Sequence, residues 1–430
     1  MLFELGAITA GISGTLLAYE GMRKLFKNKT DLVMIEELFK NLGVGIPKGE
    51  GKKKYIQYPR LINKDVGAEN KLYDTYVFSV PLGITFSKFK TLEEHLTDGI
   101  GRDVKIETGE RIAKIKVARQ VLSDNIPLQP FLGKTFNWNV LIGVNAFEVV
   151  THDFEKYPMV IGGGATRFGK TVLMKNVKTQ LVLQEPENVK FYIIDLKGGL
   201  EFLDFENLKQ VEKVVSTPSE ALKLLGYLAE EWLPKRMDYF REKGYKNIIN
   251  TPIKERVFLI VDETHDLFKT TDPKVGTAEK KKIENYMSKL ASMGGGLGFR
   301  IMAFTQYPVK EAMPQFVKQN APVRIGFQTA DGVASRVIMD HDGLQDLPGI
   351  PGRCMIKSFK YTTVQVPAYL KKENGIWEVG DYFDLVKQYE VIKNEPEHGT
   401  ETSKGNRDLS QLGPVRLPKS KSNSKVTPIR

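Results

Sequence analysis

The octapeptide Gly164-Ala165-Thr166-Arg167-Phe168-Gly169-Lys170-Thr171 fits the spacing G-x-x-x-x-G-K-[ST]. The apolar run Met159-Val160-Ile161 precedes it, and Val172-Leu173-Met174-Lys175-Asn176-Val177 opens a helical pattern behind it. Strand, glycine loop and helix start together make a cradle for phosphate groups. Backbone N–H groups converge on the anion, the helix dipole favours it, and Lys170 is placed for the β- and γ-phosphates of a nucleotide. The run Gly164 to Val172 is therefore the expected nucleotide contact, with the Thr171 hydroxyl as a Mg²⁺ ligand.

A second chemical element is Phe258-Leu259-Ile260-Val261-Asp262-Glu263, a buried-strand pattern ending in two carboxylates. At a strand's C-terminal tip Asp262 is placed to hold Mg²⁺ through its water shell, and Glu263 to polarise the water that attacks the γ-phosphate. Two further strands end in polar groups. Gln306, in Thr305-Gln306, is placed to sense the γ-phosphate or to position water. Asp195 and Lys197, in Ile194-Asp195-Leu196-Lys197, either tie the site together or pair with each other. A phosphate cradle joined to a Mg²⁺ carboxylate and a base describes an ATP hydrolase.

The elements that must carry these groups follow from apolar patterning. Met159–Ile161, Phe191–Ile194, Val257–Val261, Ile301–Phe304 and Val323–Phe327 are near-continuous apolar runs alternating with helical stretches. Such alternation predicts an α/β unit with a mostly parallel sheet covered by helices on both faces, assigned to residues 135–393. Residues 31–134 form a connector and a small α+β module. A helix over Leu32 to Leu42 leads into it, strands are expected near Thr75–Val80, Asp103–Glu107 and Ile112–Val117, and a helix over Leu92–Ile100 lies between them.

The flanks differ in character. Leu5 to Tyr19 carries no charge and is followed by Arg23, Lys24, Lys27 and Lys29, while Gly6, Ala10, Gly14 and Ala18 recur every four residues. Residues 1–30 are accordingly expected to be a single membrane helix, with the basic side and everything after it in the cytoplasm. Residues 394–430 are polar, basic and expected to be disordered. The net charge of +11 is concentrated in these flanks, +4 within residues 1–60 and +3 within 395–430, so charge alone is a weak argument for nucleic acid. The single cysteine, Cys354, excludes an internal disulfide framework and a multi-cysteine zinc site.

Taken in order, these residues resemble the FtsK/SpoIIIE family of DNA-pumping ATPases, within the wider group of HerA-like motors and conjugative coupling proteins. The resemblance covers about residues 75–370. It includes Tyr157-Pro158-Met159-Val160-Ile161-Gly162-Gly163 into the glycine loop, Ile194-Asp195-Leu196-Lys197, Arg236-Met237-Asp238-Tyr239-Phe240 and Gly298-Phe299-Arg300 through Gln306. Asn320-Ala321-Pro322-Val323-Arg324-Ile325-Gly326-Phe327 and Ser335-Arg336-Val337-Ile338-Met339-Asp340 carry it further. The resemblance implies a RecA-like motor that binds ATP and Mg²⁺ between the subunits of a hexameric ring and passes double-stranded DNA through the centre. It also implies an arginine finger, for which Arg324 is slightly preferred over Arg336.

The lysines of the segment joining the Asp-Glu strand to the next helix, Lys269, Lys274, Lys280, Lys281 and Lys282, are the candidate DNA contacts. Arg167-Phe168 stands where the cell-division and sporulation pumps have a small Gly-Ser pair, a form similar to that of plasmid- and transposon-borne relatives. A membrane partner such as a conjugation channel or relaxosome is thereby implied. Two other readings stay open: a secretion ATPase of the same superfamily that moves protein, and a nucleotide-dependent scaffold at the membrane.

Overall fold

The computed structural model describes residues 30–67, 72–199, 201–373 and 376–391. The proposed membrane helix of residues 1–30 and the tail from 394 onward lie outside them, apart from Thr30. Among the described residues no helix is long and apolar enough to cross a membrane. The chain forms two compact units, one of residues up to Leu122 together with Ala146–Glu148, the other from Ser123 to Asn145 and from Val149 onward.

In the first unit helix α1 (Asp31–Asn41) is followed by the paired short strands β1 (Ile46–Lys48) and β2 (Tyr55–Gln57). Strands β3 (Arg60–Asp65), β4 (Tyr73–Ser79), β5 (Val104–Gly109) and β6 (Ile112–Ala118) form an antiparallel sheet in the order β3-β4-β6-β5, and α2 (Phe86–Ile100) precedes β5. Along β6, Ala113, Ile115 and Val117 are buried while Lys114 is exposed, the period-two pattern of a half-covered sheet. Phe89, Leu92 and Leu96 of α2 and Ile35 and Phe39 of α1 share the core of that covered face.

The second unit holds a ten-stranded sheet. Its strands in chain order are β7 (Asn139–Val144), β8 (Val149–Asp153), β9 (Met159–Gly163), β10 (Val189–Ile194), β11 (Val211–Val215), β12 (Arg256–Val261), β13 (Phe299–Thr305), β14 (Val323–Phe327), β15 (Arg353–Lys357) and β16 (Tyr361–Gln365). Their spatial order is β11-β10-β12-β13-β9-β14-β15-β16-β7-β8. From β11 to β14 all neighbours are parallel; from β14 to β8 all are antiparallel. The parallel part agrees with the sequence expectation. The antiparallel extension was not visible as such, because β15 alternates in burial and β16 mixes exposed and buried residues, so both resemble a surface hairpin until paired.

Helices α3 (Lys170–Gln184), α4 (Pro218–Gly226), α5 (Leu233–Lys243), α6 (Thr264–Phe268), α7 (Thr277–Met293), α8 (Gln315–Asn320) and α9 (Gly332–Met339) complete the unit, with a hairpin of β17 (Leu370–Glu373) and β18 (Ile376–Val379). The central strands are buried on both faces, so successive residues feed two separate cores. Val160, Phe258, Ile260 and Met302 pack with Leu173, Val177 and Leu181 of α3. Met159, Ile161, Leu259 and Val261 pack on the other side with Leu224 of α4 and Met287 and Leu290 of α7. A one-residue slip of any of these strands would exchange its two faces, which fixes register along the sheet.

Opposite the strand tips that carry the site, three charges are packed together. Both oxygens of Glu155 accept from Arg256, at 2.8 and 3.0 Å, and Oε1 also accepts from Arg300 at 2.8 Å. Both arginines are buried. Burial on its own would raise the Glu155 carboxyl, and the two guanidinium groups outweigh it and hold the group below its ordinary value. Glu155→Gln leaves two buried cations short of a counter-charge and is expected to cost on the order of 3–5 kcal/mol of folding stability, read as a lowered denaturation midpoint.

A second prediction concerns His152, buried on β8 with its Nε2–H donating to the Tyr157 carbonyl at 2.9 Å. Burial lowers its pKa from 6.5 to about 4. A depressed folded value means the unfolded chain takes up the proton first as pH falls. The contribution is therefore complete above about pH 6.5 and fades between there and about pH 4. By linkage roughly 2 kcal/mol of it is lost by pH 5. Urea midpoints of the native chain and His152→Leu at pH 7.5 and 5 should show the steeper loss in the native chain.

Candidate nucleotide site

The site is built where the parallel strands end. β9 runs into the glycine loop, and the loop runs into α3. Gly164 has φ +146°, and a Cβ there would approach Phe327 to 2.7 Å; Gly169 has φ +102°, and its Cβ would come within 2.8 Å of the Gly352 nitrogen. Both positions demand glycine on two counts, backbone conformation and space. Arg167 is held at φ +69° between them, a left-handed turn that curves the loop back over the helix start, whose first N–H groups have no partner within the helix.

Lys170 is nearly fully buried and its ammonium donates to the carbonyls of Gly164, at 2.5 Å, and Ala165, at 2.7 Å. Burial first, and the neighbouring Lys197 ammonium second, lower its pKa from 10.5 to about 8, against the pull of Glu263 and Asp262. A group so placed is largely charged at neutral pH, already desolvated, and starved of a compensating anion. Incoming phosphate oxygens meet that need.

Strand β13 lies between β9 and β12, and its tip joins the loop to the carboxylates. Glu263 is completely buried; Oε1 accepts from the Thr305 hydroxyl at 2.6 Å and from the His265 N–H at 3.2 Å, and Oε2 accepts from the Gln306 N–H at 2.8 Å. The Gln306 side-chain oxygen accepts from the Thr166 hydroxyl at 3.0 Å. Burial raises the Glu263 carboxyl, opposed by those donors and by Lys197, which is the direction a general base needs.

The Asp195/Lys197 alternative resolves in favour of a tie across the site. Lys197 Nζ donates to Asp262 Oδ2 at 2.6 Å. Asp195 instead accepts the N–H groups of Lys197, at 3.1 Å, and Glu201, at 3.0 Å, and burial together with the nearby Asp262 raises its carboxyl against them. Asp262 is fully buried, and its Oδ1 has no hydrogen-bond partner among the described residues. An oriented carboxylate with one pinned and one vacant oxygen, beside a loop ending in Thr171, suits a hard divalent cation such as Mg²⁺. Bound there, Mg²⁺ would neutralise charge developing on the phosphates.

The other sequence candidates are placed apart. Arg324 is enclosed by its own chain: Nη1 donates to Asp340 at 2.5 Å and to the Ile338 carbonyl at 3.3 Å, and Nη2 to the Lys318 carbonyl at 3.3 Å. Arg324, slightly preferred over Arg336 as the group reaching a neighbour, thus has its donors engaged within its own chain. Arg336 on α9 is half-exposed and pairs with the equally exposed Asp342 at 2.5 Å.

The lysine segment is not one loop. Lys269 follows α6, Lys274 lies in the connection, and Lys280, Lys281 and Lys282 sit in the first turns of α7, with Lys280 one turn before buried Ile283 on the same face. Lys269, Lys274, Lys281 and Lys282 are exposed and Lys280 is half-buried.

Sequence reading missed two contributors. The Thr305 hydroxyl was visible only within a strand end, with its partner 42 positions away, whereas Lys197 was named as a tie without its partner, 65 positions away. Residues Val379 to Tyr382, far along the chain, line the same cavity as Lys170 and Thr171. If Lys197 orients Asp262, Lys197→Met should raise the Mg²⁺ concentration needed for half-maximal nucleotide-dependent activity about tenfold or more. Nucleotide affinity without Mg²⁺ should be unchanged, and Lys197→Arg should restore part of the Mg²⁺ response. An unaltered Mg²⁺ titration would leave Lys197 with only a packing role.

Residues 137–313 match the model of the FtsK/SpoIIIE family. The chain is 27% identical over 263 residues to the DNA translocase FtsK of Chlorobaculum tepidum, covering 57% of this chain and 31% of that one. It is 25% identical over 352 residues to the DNA translocase SpoIIIE of Bacillus subtilis, covering 75% and 43%. The chain thus spans about a third to two fifths of the length of these curated relatives. Among solved structures it is similar to the monomer form of the pCW3 conjugation coupling protein TcpA with ATPγS, with a TM-score of 0.55 and 24% identity over 77% of this chain and 94% of that one. The cytoplasmic domain of the type VII secretion ATPase EccC of Thermomonospora curvata gives a TM-score of 0.50 and 21% identity over 61% of this chain and 32% of that one. The glycine loop and the Asp262-Glu263 strand tip both lie within the matched residues, and the matches indicate that this part of the chain, similar to the FtsK/SpoIIIE family, is a P-loop ATPase domain.

Proposed function

We propose that this protein hydrolyses ATP to move double-stranded DNA, working as a membrane-associated ring in the transfer or partition of a mobile element. The observation that carries hydrolysis is the clamp on Glu263: three donors hold its carboxylate at the tip of β12, tied through Gln306 and Thr166 to the glycine loop. A loop that only bound nucleotide would not require a desolvated carboxylate so fixed. The FtsK/SpoIIIE match and relatives named as DNA translocases support DNA as the cargo.

In this reading Lys170 and the loop N–H groups bind the phosphates, and Thr171 and Asp262 would hold Mg²⁺. Glu263 takes the proton of the attacking water, and Gln306 reports the γ-phosphate. Arg324, released from Asp340, or the more exposed Arg336 would reach a neighbour's nucleotide as the arginine finger. Exposed Lys269, Lys274, Lys281 and Lys282, with Lys280, provide phosphate contacts without base readout. Residues 1–30 would anchor the assembly at the cell membrane with the motor in the cytoplasm, beside a conjugation channel or relaxosome.

Two measurements test the proposal. ATP turnover should rise on adding duplex DNA and not on adding unfolded protein, and Glu263→Gln should lower it by at least about 10² while leaving ATP binding intact. The native chain should also displace a triplex-forming strand from linear duplex, and Lys170→Ala should not. Turnover indifferent to every kind of DNA would refute translocation, and stimulation by unfolded protein alone would favour a protein-moving ATPase.

A further inference from the structure

The cavity over the glycine loop has a volume of about 750 Å³, ample for a whole nucleotide. Part of its wall is the loop itself with Lys170 and Thr171. Another part is Val379, Gly380, Asp381 and Tyr382, the exit of the β17–β18 hairpin. Phosphates held at the loop leave the remainder of a nucleotide inside the same cavity, facing groups of a different kind. Val379 is an exposed aliphatic side chain, and Asp381 an exposed carboxylate. One Asp381 oxygen caps the following turn, accepting from the Phe383 N–H at 2.9 Å; the other has no hydrogen-bond partner among the described residues.

This second wall is fixed in place. The Gly380 N–H donates to the Tyr369 carbonyl at 2.8 Å, and the Tyr382 hydroxyl accepts from the Tyr369 N–H at 3.0 Å. Tyr382 is buried in one core with Leu173 and Val177 of α3, the helix whose first residue is Lys170. Asn176 of α3 donates to the Pro367 carbonyl at 2.9 Å, just before the hairpin. Phosphate cradle and hairpin exit are thus two attachments to one helix, held at a constant spacing.

We propose that the Val379–Tyr382 segment is the nucleoside wall of the site, with Val379 packing against the base and the free oxygen of Asp381 accepting from the ribose hydroxyls. The proposal rests on the nucleotide reading of the glycine loop and adds the part of the ligand that the loop does not touch. It makes recognition of a nucleoside triphosphate, as opposed to bare polyphosphate, the work of residues some 200 positions beyond the loop.

Calorimetric titration of the full chain with ATP and with inorganic tripolyphosphate, both with Mg²⁺, tests it. Asp381→Ser keeps an oxygen to cap the turn but is too short to reach a ribose, and Val379→Ser alters an exposed position. Both should weaken ATP binding, about tenfold for Asp381→Ser, while tripolyphosphate binds as to the native chain. ATP affinity unchanged in both variants overturns the proposal, as does an equal loss for the two ligands, which would make the hairpin a support for the loop. A native chain that binds tripolyphosphate and ATP equally well also overturns it, with the phosphate reading intact. A native chain that binds neither removes the nucleotide reading itself.

Discussion

The hydrogen bonds from Thr305 and Gln306 to Glu263 hold together two motifs that the chain keeps far apart. The glycine loop belongs to β9 and the carboxylates to β12, and these strands do not touch; β13 runs between them. In a parallel sheet neighbouring tips lie at one edge, yet two strands separated by a third are about 10 Å apart at the backbone. The gap is bridged by β13's own tip, whose hydroxyl and N–H fix Glu263 and whose side-chain amide reaches Thr166. Displacement of that tip would move the base relative to the phosphates, so the chemistry depends on the register of β13 against both neighbours.

Register in turn depends on the two-sided core. Because β9, β12 and β13 are buried along their whole length, each alternate residue is matched to a different helix layer, and no slip preserves both. The opposite edge is locked by a different interaction, Glu155 between Arg256 and Arg300, which joins the turn after β8 to the starts of β12 and β13. Apolar packing sets the faces, while that ion cluster ties down one end of the same two strands whose other ends carry Glu263 and Thr305. Buried charge here costs desolvation and returns positional definition, a use consistent with the limited net stability such clusters contribute.

Much of this was legible in the chain because the signals are local. The glycine loop requires particular backbone angles within eight residues, and the continuous apolar runs of the parallel strands identify themselves. What was not legible needed a partner from elsewhere. Arg324 is an arginine in a strand until Asp340, at the left-handed end of α9, comes back to meet it. Lys197 reads as a strand-end lysine beside Asp195, and only the β10–β12 pairing shows that its partner is Asp262. The hairpin at Leu370–Val379 has mixed composition, and nothing in it announces a cavity. Its meaning comes from Tyr382 and Pro367 docking on α3.

The charges around the loop explain why the site suits a polyanion with a cation attached. Lys170 and Lys197 face Asp195, Asp262 and Glu263 in a desolvated space, and each partner is only partly compensated. Lys170 leans on loop carbonyls, Lys197 on one oxygen of Asp262, and Asp262 keeps a vacant oxygen. Burial raises both Asp195 and Glu263 and lowers Lys170, so these three groups are displaced toward their neutral forms. A triphosphate supplies the negative charge that Lys170 lacks, and a divalent cation supplies the positive charge that Asp262 lacks. Neither alone relieves both deficits, and a phosphate ligand without its metal would bring more negative charge up to carboxylates already short of counter-ions. The arrangement therefore favours binding the two as one unit, which is an electrostatic consequence of strand tips brought to a single edge.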